Sequence, residues 1–156
     1  MSIQGKRVIW AGPAGSANSK PLTAEAVATQ ADIKPGMVLS RSGSGFAKNA
    51  NAATKFGEQN LFADKDQMRS KSVDDLWAQN ENMVAIVPRS GEAANVLVIT
   101  AQTLIVGSPL ARSGTAGVLK LAVTPATVGA TSEEIVAFAG EAVTTTATQL
   151  VAVNFA

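Results

Sequence analysis

The segments Asn82-Met-Val-Ala-Ile-Val-Pro88, Arg89-Ser-Gly-Glu92 and Asn95-Val-Leu-Val-Ile-Thr100 decide the fold class of this chain. The two outer segments are rich in β-branched residues, which favour extended strands. The middle segment has the Ser and Gly of a tight turn, and Pro88 ends the first strand because its nitrogen carries no hydrogen. The pattern predicts two strands that pair as a hairpin.

The same alternation of short strand and turn continues to the end of the chain. Ser113-Gly-Thr-Ala-Gly117 predicts a turn before a strand at Val118–Val123. Glu133–Ala139 and Gln149–Phe155 predict an antiparallel pair, and the last of these strands places alternate apolar side chains on one face. Strands spaced this closely predict an all-β fold, a compact antiparallel β-sandwich or barrel with little helix.

The part of the chain before Met83 is less regular. Pro35-Gly36 predicts a turn that feeds a strand, and the Ser72 hydroxyl is placed to accept a backbone N–H from Asp74 or Asp75 in a turn or short helix. Ala24–Gln30 fits either a helical turn or a strand. Residues 1–23 hold many small and turn-forming residues, which predicts an extended N-terminal arm ahead of a β-rich domain at residues 24–156.

Composition argues against an enzyme. The 156 residues include no His, Cys or Tyr, so the imidazole and thiolate groups that most often act as base, nucleophile or metal ligand near neutral pH are missing. Gly12–Lys20 is rich in glycine, but Pro21 follows Lys20 where a phosphate-binding loop needs Ser or Thr and then a helix. We therefore predict no catalytic residue and no cofactor.

The acidic residues offer no convincing metal or catalytic site. Asp64, Asp66, Asp74 and Asp75 lack the spacing of a calcium loop, so we predict a solvated face and no bound metal. Glu133 and Glu134 are neighbours that point to opposite sides of a strand, which disfavours a cooperating carboxylate pair.

Charge and hydropathy indicate which partners to expect. The cations are scattered and not interleaved with aromatic residues, so we predict that the chain does not bind nucleic acid. The sequence contains no apolar run of about 18 residues, so we predict that it does not span a membrane. The first residues lack the apolar stretch of a signal peptide. Few charges follow Arg89, and the long neutral stretches predict a homo-oligomer, with a trimer as the expected form.

The segments Val73–Gly91 and Thr103–Leu110 together resemble the pattern of tailed-bacteriophage capsid decoration, or cement, proteins. The likeness extends over residues 24–156 and includes the segments Ile33–Leu39, Ser113–Ala122, Val128–Val136 and Leu150–Phe155. The resemblance implies a structural protein of the virion that is made in the host cytoplasm, binds the outer capsid surface and bridges major capsid subunits. The resemblance implies no enzymatic residues.

Within this interpretation the arm is the candidate capsid anchor. Lys6, Arg7, Ile9 and Trp10 combine cations with an apolar patch, ahead of a Gly/Pro/Ser stretch that could let them reach a neighbour. Trp10 could instead fold back on its own domain. Removal of residues 1–20 is accordingly expected to leave thermal stability nearly unchanged. Two rival functions stay open, a head or tail fibre β-module that binds a host surface glycan and a small trimeric β enzyme.

Overall fold

The computed structural model describes Lys6 and residues 8–12, 20–50, 59–123 and 133–156. These residues form thirteen strands and no helix, so the predicted all-β class is confirmed. In chain order the strands are β1 Trp10–Gly12, β2 Leu22–Val27, β3 Val38–Ser42, β4 Gly45–Lys48, β5 Leu61–Ala63, β6 Asn82–Val87, β7 Ala93–Val98, β8 Thr103–Leu104, β9 Pro109–Arg112, β10 Leu119–Leu121, β11 Ala137–Ala139, β12 Val143–Thr144 and β13 Gln149–Phe155.

The first half of the chain forms a small barrel. Its five strands lie in the order β2-β6-β5-β3-β4, and every strand pair in it is antiparallel. Just after β2, Ala28 forms a parallel bridge with Phe46 of β4, and the Thr29 amide donates to the Phe46 carbonyl at 2.8 Å. This contact closes the sheet around a core that includes the fully buried Phe46, Leu61 and Met83.

The second half forms another barrel, with β1 added at its margin. β7 pairs with β13 on one edge and with β1 and β10 on the other, and β9 and β11 complete the ring. The β7–β10 contact, Leu119 beside Val98, is parallel, whereas the other strand pairs of this barrel are antiparallel. β8 and β12 form a separate two-stranded ribbon.

The two barrels share part of their core. Phe62 of β5 packs with the second barrel's apolar cluster, and its ring lies 5.0 Å from the ring of Phe155. Gly36 approaches the second barrel so closely that its carbonyl accepts the Leu97 amide at 2.9 Å. A Cβ at Gly36 would lie 2.5 Å from Leu150 Cδ2, and its φ of +85° is one that glycine adopts freely, so glycine suits this junction.

Several predicted elements are confirmed. β9 and β10 form an antiparallel pair around the predicted turn, β11 pairs with β13, and Val151, Val153 and Phe155 of β13 are buried on one face. Ala24–Gln30, which fitted two conformations, contributes to β2 and to the bridge that follows. The Ser72 segment forms a turn in which Ser72 Oγ accepts the Asp74 amide at 3.1 Å.

The predicted hairpin between Asn82–Pro88 and Asn95–Thr100 is wrong. β6 pairs with β2 and β5 in the first barrel, whereas β7 pairs only with strands of the second barrel and with β1. The tight turn is present, with the Glu92 amide donating to the Arg89 carbonyl at 3.1 Å, but the residues at its end form hydrogen bonds with the end of β13 and not with β6. The Phe155 amide donates to the Glu92 carbonyl at 2.9 Å, and the Gly91 amide donates to the Phe155 carbonyl.

Candidate interaction surfaces

The described part of the N-terminal segment lies along β7. The Ile9 carbonyl accepts the Asn95 amide at 2.6 Å, the Val8 carbonyl accepts Asn95 Nδ2 at 2.8 Å, and Trp10 pairs with Ala94. Upstream, Lys6 Nζ forms a 2.9 Å ion pair with Glu141, whose carboxylate also accepts the Ala152 amide. These residues are therefore docked on the second barrel.

The four residues predicted to contact a capsid have different surroundings. Ile9 is 1% exposed and belongs to a small apolar cluster with Val73 and Ile86, so it is unavailable to a partner in this structure. Lys6 and Trp10 are half-buried, and Arg7 lies outside the described residues. Val8, which was not predicted as a contact, is 47% exposed. Capsid contact by the others stays a prediction.

Two adjoining cavities lie beside the chain after β5, the larger against β2 and β6 and the smaller against the N-terminal segment. The larger, of about 820 Å³, is lined by residues that include Asp64, Arg69 and Trp77, and the smaller, of about 260 Å³, by residues that include Trp10. Trp10 Nε1 is buried and has no hydrogen-bond partner among the described residues. The smaller cavity is thus lined by an indole whose N–H is buried and by the desolvated carboxylate of Asp64, but those groups alone do not identify a ligand.

The prediction of a solvated acidic face is wrong for two of its four residues. Asp64 is 5% exposed and Asp66 is 7% exposed, and both carboxylates accept hydrogen bonds from backbone amides of the loop that follows β5. Burial raises the pKa of Asp64 above its usual value, although hydrogen bonds from the Lys65 amide and Gln67 oppose the shift. Asp74 and Asp75 are exposed as predicted. Among the described residues no group of three His, Cys, Asp or Glu could hold a metal.

Glu133 has a local structural role. Its carboxylate pairs with Lys120 and accepts the Val123 amide at 2.7 Å, which joins the end of β10 to the chain that leads into β11. The Lys120 hydrogen bond lowers the pKa of Glu133, and the Val123 amide lowers it further. Glu134 is exposed, and neither residue lies in a strand, so the predicted strand geometry for this pair is wrong.

Four large apolar side chains are exposed in the second half of the described chain. Ile105 and Val106 are each 68% exposed, Val123 is 64% exposed and Phe138 is 40% exposed. We call this set the apolar end. The sequence does not reveal this surface, because Ile105-Val106 looks like the end of a strand, whereas β8 stops at Leu104 and the two residues begin a turn.

No protein-family model matches this chain, and no curated protein sequence is significantly similar to it. Within the described residues, no helix has the length and apolar character needed to cross a membrane.

Proposed function

We propose that this chain is a structural virion protein that binds the outer surface of a tailed-bacteriophage capsid and stabilises the shell by bridging major capsid subunits. The observation that carries the proposal is the resemblance to capsid decoration proteins over residues 24–156. Five of the six segments that carry it contribute to β3, β6, β9, β10 and β13, which help form the two barrels and their junction. The resemblance therefore falls on residues that build the fold.

The physical properties of the fold suit this role. Two barrels with a shared core make a rigid body, because relative movement would separate the Phe62 and Phe155 rings and break the Gly36–Leu97 hydrogen bond. A rigid body that contacts two subunits at once resists their separation, and many copies on one shell add their effects through multivalency. A homotrimer on the capsid surface, without enzymatic activity, belongs to the same proposal.

The proposed capsid contact is revised at one position. Lys6, Arg7 and Trp10 stay in it, while the exposed Val8 takes the place of the buried Ile9. Alternate residues of an extended segment face opposite sides, so the inward position of Ile9 turns Val8 outward. The contact thus needs no release of the N-terminal segment from β7.

Capsid shells of the virus that encodes this chain, prepared without the protein, provide the test. The full chain should bind them to saturation and raise the temperature at which they disrupt. Val8→Asp should weaken binding about tenfold or more, because it puts a charge into an apolar contact. Leu76→Asp is the matched control, since Leu76 is 45% exposed and lies outside the proposed contact. Failure of the full chain to bind such shells, together with its absence from purified virions, would refute the proposal.

A further inference from the structure

The apolar end is held in a fixed shape. Ile105 to Ser108 form a turn in which the Ser108 amide donates to the Ile105 carbonyl at 2.9 Å and Ser108 Oγ accepts the Ile105 amide. Gly107 has a φ of +86°, the conformation required at the third position of a type II turn. Turn tips usually carry polar residues, yet this one presents Ile105 and Val106 to solvent.

Backbone hydrogen bonds bring the other members of the apolar end to the same place. The Gly107 amide donates to the Ala139 carbonyl at 2.7 Å, which sets the turn beside β11, and Phe138 is the register partner of Pro109. The Ala122 amide donates to the Pro109 carbonyl at 2.9 Å, so Val123 follows on the other side of Pro109. The start of β9 is therefore surrounded by the four residues of the apolar end.

Charge is unevenly divided between the two halves of the molecule. Residues 20–92 include eighteen charged side chains, whereas residues 93–156 include five. Of those five, Arg112 is 2% exposed, Lys120 pairs with Glu133, and Glu141 pairs with Lys6. The apolar end itself holds no charged residue, and the carboxylate that contacts it, that of Glu133, accepts the Val123 amide and is paired with Lys120.

We propose that the apolar end is the contact surface between copies of this chain. A neutral surface can face its own copy without opposing like charges, whereas a surface of a single charge sign cannot. Four exposed large side chains offer roughly a few hundred Å² of apolar area, the size typical of functional patches on monomers. That area is below the ~800 Å² per partner of a standard interface, so we expect a weak, reversible association.

This inference gives a surface to the oligomer included in the proposed function. Its test uses the full chain in solution without capsids, so its outcome is independent of capsid binding. In sedimentation velocity the wild-type protein should shift from monomer to oligomer as its concentration is raised over several orders of magnitude. Val106→Glu should weaken the association about tenfold or more, because it buries a charge on each copy. Met68→Glu, at a 97% exposed position in the charge-rich half, should associate as the wild type does.

A second measurement reports the surface itself. The chain has no Cys, so Val106→Cys introduces a single thiol whose alkylation by iodoacetamide can be followed. Its rate should fall severalfold on going from dilute to concentrated protein, while that of Met68→Cys stays constant. A wild type that is monomeric at every concentration would overturn the inference, as would a Val106→Glu protein that associates normally. If the wild type is monomeric and Val106→Glu fails to bind capsid shells, the surface serves the capsid protein and the inference is wrong.

Discussion

The rings of Phe62 and Phe155 lie 5.0 Å apart at an interplanar angle of 45°, although the residues belong to different barrels. Phe62 is fully buried and Phe155 is 5% exposed. Tilted ring pairs at this separation are stabilising beyond the area they bury. The pair is thus a direct link between the two halves of the chain, and we expect the barrels to unfold together.

Replacement of Phe155 by Ala should lower the free energy of unfolding by about 3–5 kcal/mol, because it leaves a cavity between the barrels. The transition should stay single when it is followed by far-ultraviolet circular dichroism and by tryptophan fluorescence in urea. Phe138→Ala is the control, since Phe138 lies on the adjacent strand β11 with its side chain 40% exposed. At low protein concentration, Phe138→Ala should lower the free energy of unfolding by much less than Phe155→Ala does. Two separate transitions in the wild type would show that the barrels are independent.

Ile9→Ala should lower the free energy of unfolding by about 2–4 kcal/mol, because Ile9 fills the cluster it shares with Val73 and Ile86. The neighbouring Val8→Ala, at a 47% exposed position, should change it by less than about 0.5 kcal/mol. Removal of residues 1–20 should accordingly lower the melting temperature, contrary to the expectation from sequence. An unchanged melting temperature in the truncated protein would mean that this segment contributes little to the fold.

The sequence predicted the strands better than their partners. The local alternation of apolar residues predicts a half-buried strand, and the structure buries Val151, Val153 and Phe155 on one face of β13. The partner of β6 depends on β2 and β5, which lie far from it in sequence, so the nearby turn at Arg89–Glu92 was misleading. Sequential strands are neighbours often but not always, and local pattern cannot identify the exceptions.

The candidate contact residues show the same limit. Ile9 and Trp10 form a short apolar run that reads alike whether it packs on its own domain or on another protein. Burial of Ile9 is decided by Ile86 and Val73, which the sequence does not bring near it. Asp64 was equally ambiguous, because its burial follows from the path of the loop after β5. The general rule that charged side chains are exposed to solvent therefore failed at Asp64.

Gly36→Ala should be more destabilising than Gly91→Ala. Both glycines have a positive φ, of +85° and +82°, and an alanine in that conformation costs about 1–2 kcal/mol. Only Gly36 is crowded, by Leu150 Cδ2 and by the Asn95 and Leu97 backbone, whereas a Cβ at Gly91 would meet nothing within 4 Å. Overpacking should add about 1–3 kcal/mol at Gly36. Equal losses in urea unfolding would show that the barrels can move apart to accept a methyl group.

Asp64→Asn should make stability less sensitive to pH. Burial raises the pKa of Asp64 above 3.8, so the unfolded chain loses this proton at a lower pH than the folded protein does. In the wild type, the stability associated with this group is fully present below pH 3.8 and is lost as the pH rises through the pKa of folded Asp64. Asn cannot ionise, and its oxygen can still accept the Lys65 amide, which donates to Asp64 at 2.8 Å. The free energy of unfolding of Asp64→Asn should therefore rise relative to the wild type as the pH is raised from about 4 towards 7.

Asp75→Asn is the control for that series, because the shift there has the opposite sign. The Ser72 amide donates to the Asp75 carboxylate at 2.6 Å and lowers its pKa below 3.8. The stability that this lowered pKa contributes is present at a pH above the pKa of Asp75 in the unfolded chain, and it is lost as the pH falls through the pKa of Asp75 in the folded protein. The free energy of unfolding of Asp75→Asn should therefore lie below that of the wild type by a nearly constant amount at pH 5–7. Urea unfolding of the three proteins across the pH range measures both effects. If the Asp64→Asn difference is as flat as that of Asp75→Asn, the Asp64 carboxylate is solvated in the folded protein and its assignment as a desolvated group is wrong.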